Sequence, residues 1–177
     1  IRKFVAPEIV FGDGALEMLG RYVTNFGANR VFVVTDPGVV GCGLADQAIR
    51  NLRTVDVEAV LYDRISPNPR DQEVMEGAAC YREAECDVIV ALGGGSPIDC
   101  AKGISVVSTN GGSILDYEGI DRVGLPGPPM ICIPTTAGSS ADVSQFAIIT
   151  HVAKRVKIAI ISKSVVPEVA LIDPLTT

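Results

Sequence analysis

Apolar residues fall along this chain in short blocks, with neither a helical stripe nor a strict alternation. Residues 31–35 (VFVVT), 57–62 (VEAVLY), 87–92 (DVIVAL) and 130–134 (MICIP) are near-continuous runs of aliphatic and aromatic side chains. Blocks of that length and kind predict strands buried on both faces, as in a parallel sheet covered above and below. Between them, residues 14–26, 44–52, 69–85 and 97–107 read as helices. Pro69-Arg70-Asp71 places a proline and an acid in a first turn, a favoured helix start. Strand, helix, strand, helix predicts an α/β fold with a doubly wound, mostly parallel, Rossmann-like sheet.

The pattern changes near the end. Residues 145–150 and 156–162 are β-rich runs separated by a short charged link that holds His151, Lys154 and Arg155. They predict an added β-hairpin that covers a sheet edge. Residues 169–172 form a last strand before Asp173-Pro174-Leu175-Thr176-Thr177. With no repeat and no linker-like shift in composition, residues 1–177 read as one domain.

Composition narrows the function. The chain has 177 residues, 47% hydrophobic and 20% charged, enough to bury about two thirds of its unfolded surface without staples. A net charge of −6 argues against a nucleic-acid surface, and no apolar run approaches a membrane span. Cys42, Cys80, Cys86, Cys100 and Cys132 are odd in number and form no CxxC pair. That fits reduced thiols in a cytoplasmic protein better than a disulfide frame or zinc site. The opening Ile1-Arg2-Lys3-Phe4 lacks an initiator Met and reads as a processed or engineered start.

Three places carry candidate chemistry. Residues 87–99 read as strand, turn, then helix: Gly93, Gly94 and Gly95 are followed by Ser96 and Pro97. Glycines let backbone N–H groups approach a ligand, and the helix start adds unpaired donors and partial positive charge, so a phosphate fits. A tight βα turn needing glycine fits the same residues. The string is neither a P-loop nor G-x-G-x-x-G. The second place is residues 133–140, where Thr135, Thr136, Ser139 and Ser140 follow a strand. They suit a polar ligand at the carboxyl ends of parallel strands, or a hydroxyl-rich cap. The third is Asp36, able to take the hydroxyls of an adenosine ribose and to repel a 2′-phosphate, or simply to form a turn before Pro-Gly. An acid in that role ordinarily follows the glycine turn by about 20 residues, whereas Asp36 precedes Gly93.

Other constellations fail. His151 is the single histidine and reads as a solvated surface residue; no G-x-S-x-G elbow exists, and a multi-histidine metal site is excluded from this sequence. Asp99 and Lys102, at i and i+3, read either as a surface ion pair or as residues at the cleft mouth, where the lysine would help hold a ligand.

GGGSPIDCAK (93–102), PTTAGSS (134–140), SPNP (66–69), VTDPG (34–38) and FGDGALEMLG (11–20) occur in one chain. Together they resemble the iron-containing, group III alcohol dehydrogenases, and the likeness runs over essentially all 177 residues. The resemblance implies an N-terminal α/β domain that binds NAD, followed by a helical domain holding Fe2+ or Zn2+. It implies hydride exchange between a small primary alcohol or aldehyde and the nicotinamide, with the metal polarising the alcohol oxygen. By resemblance, Asp36 holds the adenosine ribose and Gly94, Gly95 and Ser96 cradle the pyrophosphate. Asn68, Thr135, Thr136 and Ser139 line the adenine and ribose cleft, with Ser144 nearer the nicotinamide. Asp99 lies near the cofactor and Lys157 reaches the nicotinamide ribose. A homodimer is an assembly the family allows.

The departures are informative. The family's metal ligands, one Asp and three His, sit in the helical domain; this chain has one histidine and stops where that domain would begin. Asp142 stands where many relatives have Glu, and His151 where they often have an acid. The chain thus reads as the N-terminal half of such an enzyme, cut down or encoded short, which binds cofactor without turnover. Two other readings remain: a non-catalytic nucleotide-binding or assembly module, and a relative closer to glycerol dehydrogenase.

Overall fold

The computed structural model describes residues 5–177; the opening Ile1-Arg2-Lys3-Phe4 lies outside the described residues. In chain order the strands are β1 (Glu8–Phe11), β2 (Arg30–Val34), β3 (Glu58–Tyr62), β4 (Val88–Gly93), β5 (Gly119–Ile120), β6 (Met130–Pro134), β7 (Phe146–His151), β8 (Val156–Ile161) and β9 (Val169–Ile172). The α-helices are α1 (Leu19–Asn25), α2 (Pro37–Gly41), α3 (Leu44–Arg53), α4 (Asp71–Glu83) and α5 (Gly95–Asn110).

Six strands form a wholly parallel sheet in the order β1-β9-β6-β4-β2-β3. Every residue of β4 and β6 is buried, as their unbroken apolar runs require of central strands. Alternate side chains of one strand feed two cores. Phe32, Val34, Ile89 and Ala91 meet Val74 and Ala78 of α4 and Ile98 and Ile104 of α5. Val31, Val33, Val88 and Val90 meet Leu19 and Val23 of α1 and Leu52 of α3 on the opposite face. Each such large side chain, fully withdrawn from water, contributes about 1.5–3 kcal/mol. Helices on both faces of a parallel sheet make the fold Rossmann-like α/β, as the sequence predicts.

On the first face α4 and α5 cross closely. A Cβ at Gly77 would lie 2.4 Å from Ile104 Cδ1, and one at Gly103 would lie 2.9 Å from Val74 Cγ1. Phe32 stacks on Tyr62 (ring centroids 5.8 Å) and meets Tyr81 edge-on (5.7 Å) beneath this crossing.

The hairpin exists but is placed differently from the expectation. β7 and β8 pair antiparallel and, with the two-residue β5, form a sheet of their own. They are not hydrogen-bonded into either edge of the main sheet; β7 packs on α5 instead. The apolar side of the hairpin (Ala147, Ile149, Ile158, Ile160) joins the core around α5, so helix burial rather than edge protection decides its position.

Candidate functional site

The strand order dictates where a crevice can open. From β2 the chain moves outward to edge strand β3, then returns across to β4 on β2's other side. Successive loops therefore leave the carboxyl ends of β2 and β4 in opposite directions, a switch point where open α/β sheets take ligands. Asp36 follows β2 and Gly94-Gly95-Ser96 follows β4, two strands in direct register. That adjacency removes the difficulty of their order in the sequence: distant in the chain, they face one opening.

Two neighbouring cavities with shared lining residues occupy this edge. The larger, about 970 Å³, is lined among others by Asp36, Gly94, Gly95, Ser96, Thr135 and Thr136. Its remaining wall is mostly apolar, including Val39, Leu44, Ile65 and Pro67. The smaller, about 300 Å³, is polar and is lined by Asn68, Gly95, Ser96, Asp99, Thr150 and Lys157 with Pro69 and Ile148. Gly95 and Ser96 belong to both.

Local chemistry explains each position. Gly93 has φ +145, and a Cβ there would lie 2.7 Å from the Pro97 ring, so only glycine makes this turn. A Cβ on Gly94 would meet Thr136 Cγ2 at 3.1 Å and one on Gly95 would meet Ser139 at 3.2 Å, so the serine-rich loop lies directly over the glycine turn. No side chain caps α5, which leaves its first amides facing the cavities with the helix's partial positive charge. Ser96 does not cap the helix: its Oγ accepts from the Asn68 amide at 3.1 Å and keeps its own proton to donate. Asp36 Oδ1 accepts from the Gly38 and Val39 amides (2.8 and 3.1 Å), fixing the carboxylate as the N-cap of α2. Its Oδ2 has no hydrogen bond from the described residues. Turn-former and cavity-lining acid are thus one residue.

Around the smaller cavity, Lys157 Nζ donates to Asn68 Oδ1 at 2.6 Å, and Asn68 holds a left-handed φ of 60. Asp99, on the first turns of α5, is the acid of this cavity. Burial pushes its carboxyl up to about 6, opposed by the charges of Lys102 and Lys157 and by the Ile148 amide.

Nine of the eleven residues named from the sequence thus line one cavity or the other. Ser139 packs on Gly95 without lining either. Ser144 is set back, its Oγ 3.2 Å from Lys102 Nζ. The structure adds Arg64, Ser66 and Glu73 to the larger cavity and Thr150 to the smaller. Glu73 had a signal in Arg70-x-x-Glu73, a capping pattern: its carboxylate accepts from Arg70 N and Ser66 Oγ, bracing the SPNP segment.

Two expectations fail. Lys102 is in neither a surface pair nor the cleft mouth: it is fully buried, and its three N–H groups reach the carbonyls of Ala141, Ser144 and Phe146 (2.6, 2.7 and 2.8 Å). His151 is no solvated surface residue: it ends β7 with a 12% exposed side chain, Nδ1 3.5 Å from Asp71 Oδ2. The packing of β7 against α4 and α5 covers it.

The described residues contain no group of three or more His, Cys, Asp or Glu side chains arranged to hold a metal, so they do not fit the family's metal ion and no step is assigned to one. No helix among them is long and apolar enough to cross a membrane. The five cysteines are free; Cys86, Cys100 and Cys132 are buried.

Fold and crevice define a doubly wound, Rossmann-like α/β protein. The chain belongs to the iron-containing alcohol dehydrogenase family, whose model matches residues 6–174. It is 40% identical over 177 residues to alcohol dehydrogenase 4 of Schizosaccharomyces pombe, covering 99% of this chain and 42% of that enzyme. It is 36% identical over 171 residues to the NAD-dependent methanol dehydrogenase of Bacillus methanolicus, covering 97% and 45%. The solved structure of a 1,3-propanediol oxidoreductase superposes with a TM-score of 0.96 at 34% identity, covering all of this chain and 47% of that one. The chain thus spans about half the length of the relatives it matches.

Proposed function

We propose that residues 1–177 are the NAD-binding α/β domain of a metal-dependent alcohol dehydrogenase that exchanges hydride between a small primary alcohol or aldehyde and NAD(H). The observation that carries this reading is the meeting of the loops after β2, β4 and β6 around one crevice at the point where strand order reverses. A relative of 36% identity is named for its NAD dependence, which supports the choice of cofactor.

In this reading the larger, mostly apolar cavity takes adenine and its ribose, with Asp36 Oδ2 accepting from the ribose hydroxyls. The pyrophosphate lies over Gly94, Gly95 and Ser96, where uncapped amides and the Ser96 hydroxyl donate to it. The smaller cavity takes the nicotinamide riboside: Lys157 donates to its hydroxyls and the Asp99 carboxylate accepts from them. Thr135 and Thr136 close the crevice from the β6 side. This domain supplies binding and orientation, and the hydride chemistry is the cofactor's own. Turnover needs groups that the described residues do not supply.

Calorimetric titration of the chain with NAD tests the reading, beside Gly95→Val, which fills the floor shared by both cavities. Saturable one-to-one binding that Gly95→Val abolishes is expected. Equal binding by both proteins would contradict the site.

A further inference from the structure

A lysine with no exposed surface is costly unless its ammonium is fully bonded. Lys102 meets that condition with backbone alone: three N–H groups, three carbonyl oxygens at 2.6–2.8 Å from residues 141, 144 and 146, with Ser144 Oγ close by at 3.2 Å. It has no donor left for a ligand. Desolvation lowers its pKa, countered by the neighbouring Cys132, Asp99 and Asp142.

What this ammonium joins is more telling than what it lacks. It stands one turn after Asp99 on α5, the helix whose start floors both cavities. The carbonyls it gathers belong to the segment that leaves the serine-rich loop and begins β7. Two residues further, Ile148 and then Thr150 wall the smaller cavity beside Lys157, the β8 partner of Thr150, and the Ile148 amide donates to Asp99 of α5. Residues 95, 96 and 99 come to that cavity from α5 and residues 148, 150 and 157 from the β7–β8 hairpin, and Lys102 ties the first strand of the hairpin to α5 one turn beyond Asp99. The larger cavity has no residue from β7 in its wall.

We propose that Lys102 is a positioning residue: by tying the start of β7 to α5 through three carbonyls, it sets the shape of the smaller cavity and hence selects the nicotinamide-riboside half of the dinucleotide. This rests on the assignment of the two cavities above. The lysine acts through Asp99, Ile148 and Thr150 and touches no part of the cofactor, so its removal alters one half-site and spares the other.

The test compares NAD with ADP, which carries only the half assigned to the larger cavity. In calorimetric titrations Lys102→Met weakens NAD binding about tenfold and changes ADP binding by less than about twofold, the scale expected when a charged group's bonds are lost. Equal weakening of both ligands, as general loosening would give, overturns the proposal, and so does unchanged NAD affinity. The unaltered chain gives a second measurement that needs no variant. Hydrogen exchange should slow at amides 141–148 with NAD but not with ADP, and identical protection by the two overturns the proposal. ADP and NAD both failing to bind the unaltered chain would instead overturn the cavity assignment itself, and this proposal with it.

Discussion

Thr35 Oγ donates to the carbonyl of Leu92 at 2.8 Å, joining the end of β2 to the end of β4 beside the crevice. Both groups are buried, and the Thr35 amide in turn donates to Tyr62 at 2.9 Å, so three strand ends are held level. The acid that follows one strand and the glycine turn that follows the next are thereby kept at fixed separation.

Thr35→Val keeps the shape and removes the donor, leaving the Leu92 carbonyl buried and unpaired. The expected cost is about 1–3 kcal/mol of folding stability, measured by denaturant unfolding. A variant as stable as the parent would show that this tie is dispensable.

Close helix crossing gives a second prediction. Gly77→Val would push side-chain atoms into Ile104 and the Tyr62 ring, where even a Cβ has no room. Overpacking here should cost about 1–3 kcal/mol, beyond any gain in helix propensity. An unchanged thermal midpoint would contradict the packing described at the α4–α5 crossing.

The buried carboxyl of Asp99 gives a prediction about pH. Its carboxyl stands near 6 through burial, above the ordinary 3.8, so the folded chain holds this proton more tightly than the unfolded chain does. Ionising it therefore penalises folding increasingly as pH rises from the ordinary carboxylate range to about 6, by on the order of 3 kcal/mol in all. Asp99→Asn should flatten the stability profile over that window and stabilise the chain above it. NAD affinity should run the other way, rising through pH 6 as the carboxylate that accepts from the ribose forms. Affinity that falls over the same range would remove Asp99 from the site.

Much of this architecture was legible because buried parallel strands leave an unmistakable apolar block. The runs at 87–92 and 130–134 became β4 and β6 with little change of boundary. β1 escaped notice because four residues at a sheet edge, with Ile9 and Phe11 more than half exposed, carry neither alternation nor an unbroken buried run. Pro37-Gly38 reads as a turn, yet Asp36 caps it into the short helix α2. The helix expected over 14–26 begins as a 3-10 turn at Ala15–Met18 after Gly14, whose left-handed φ interrupts the pattern. Among the site residues, loops at strand ends were readable from glycine and hydroxyl content. The burial of Lys102 was not, since a lysine three residues from an aspartate on a helix ordinarily faces water. Only the packing of β7 and the segment before it on α5, a contact between residues 39 to 44 apart, turns that side chain inward.

The most direct measurement is calorimetric titration of the unaltered chain and of Asp36→Gly with NAD and NADP side by side. The unaltered chain should prefer NAD, because a carboxylate at Asp36 would accept from the ribose hydroxyls and repel a 2′-phosphate. In Asp36→Gly, NAD should weaken and NADP should gain on it. A parent chain that binds neither nucleotide, or a preference untouched by losing the Asp36 carboxylate, would contradict the cofactor site as described.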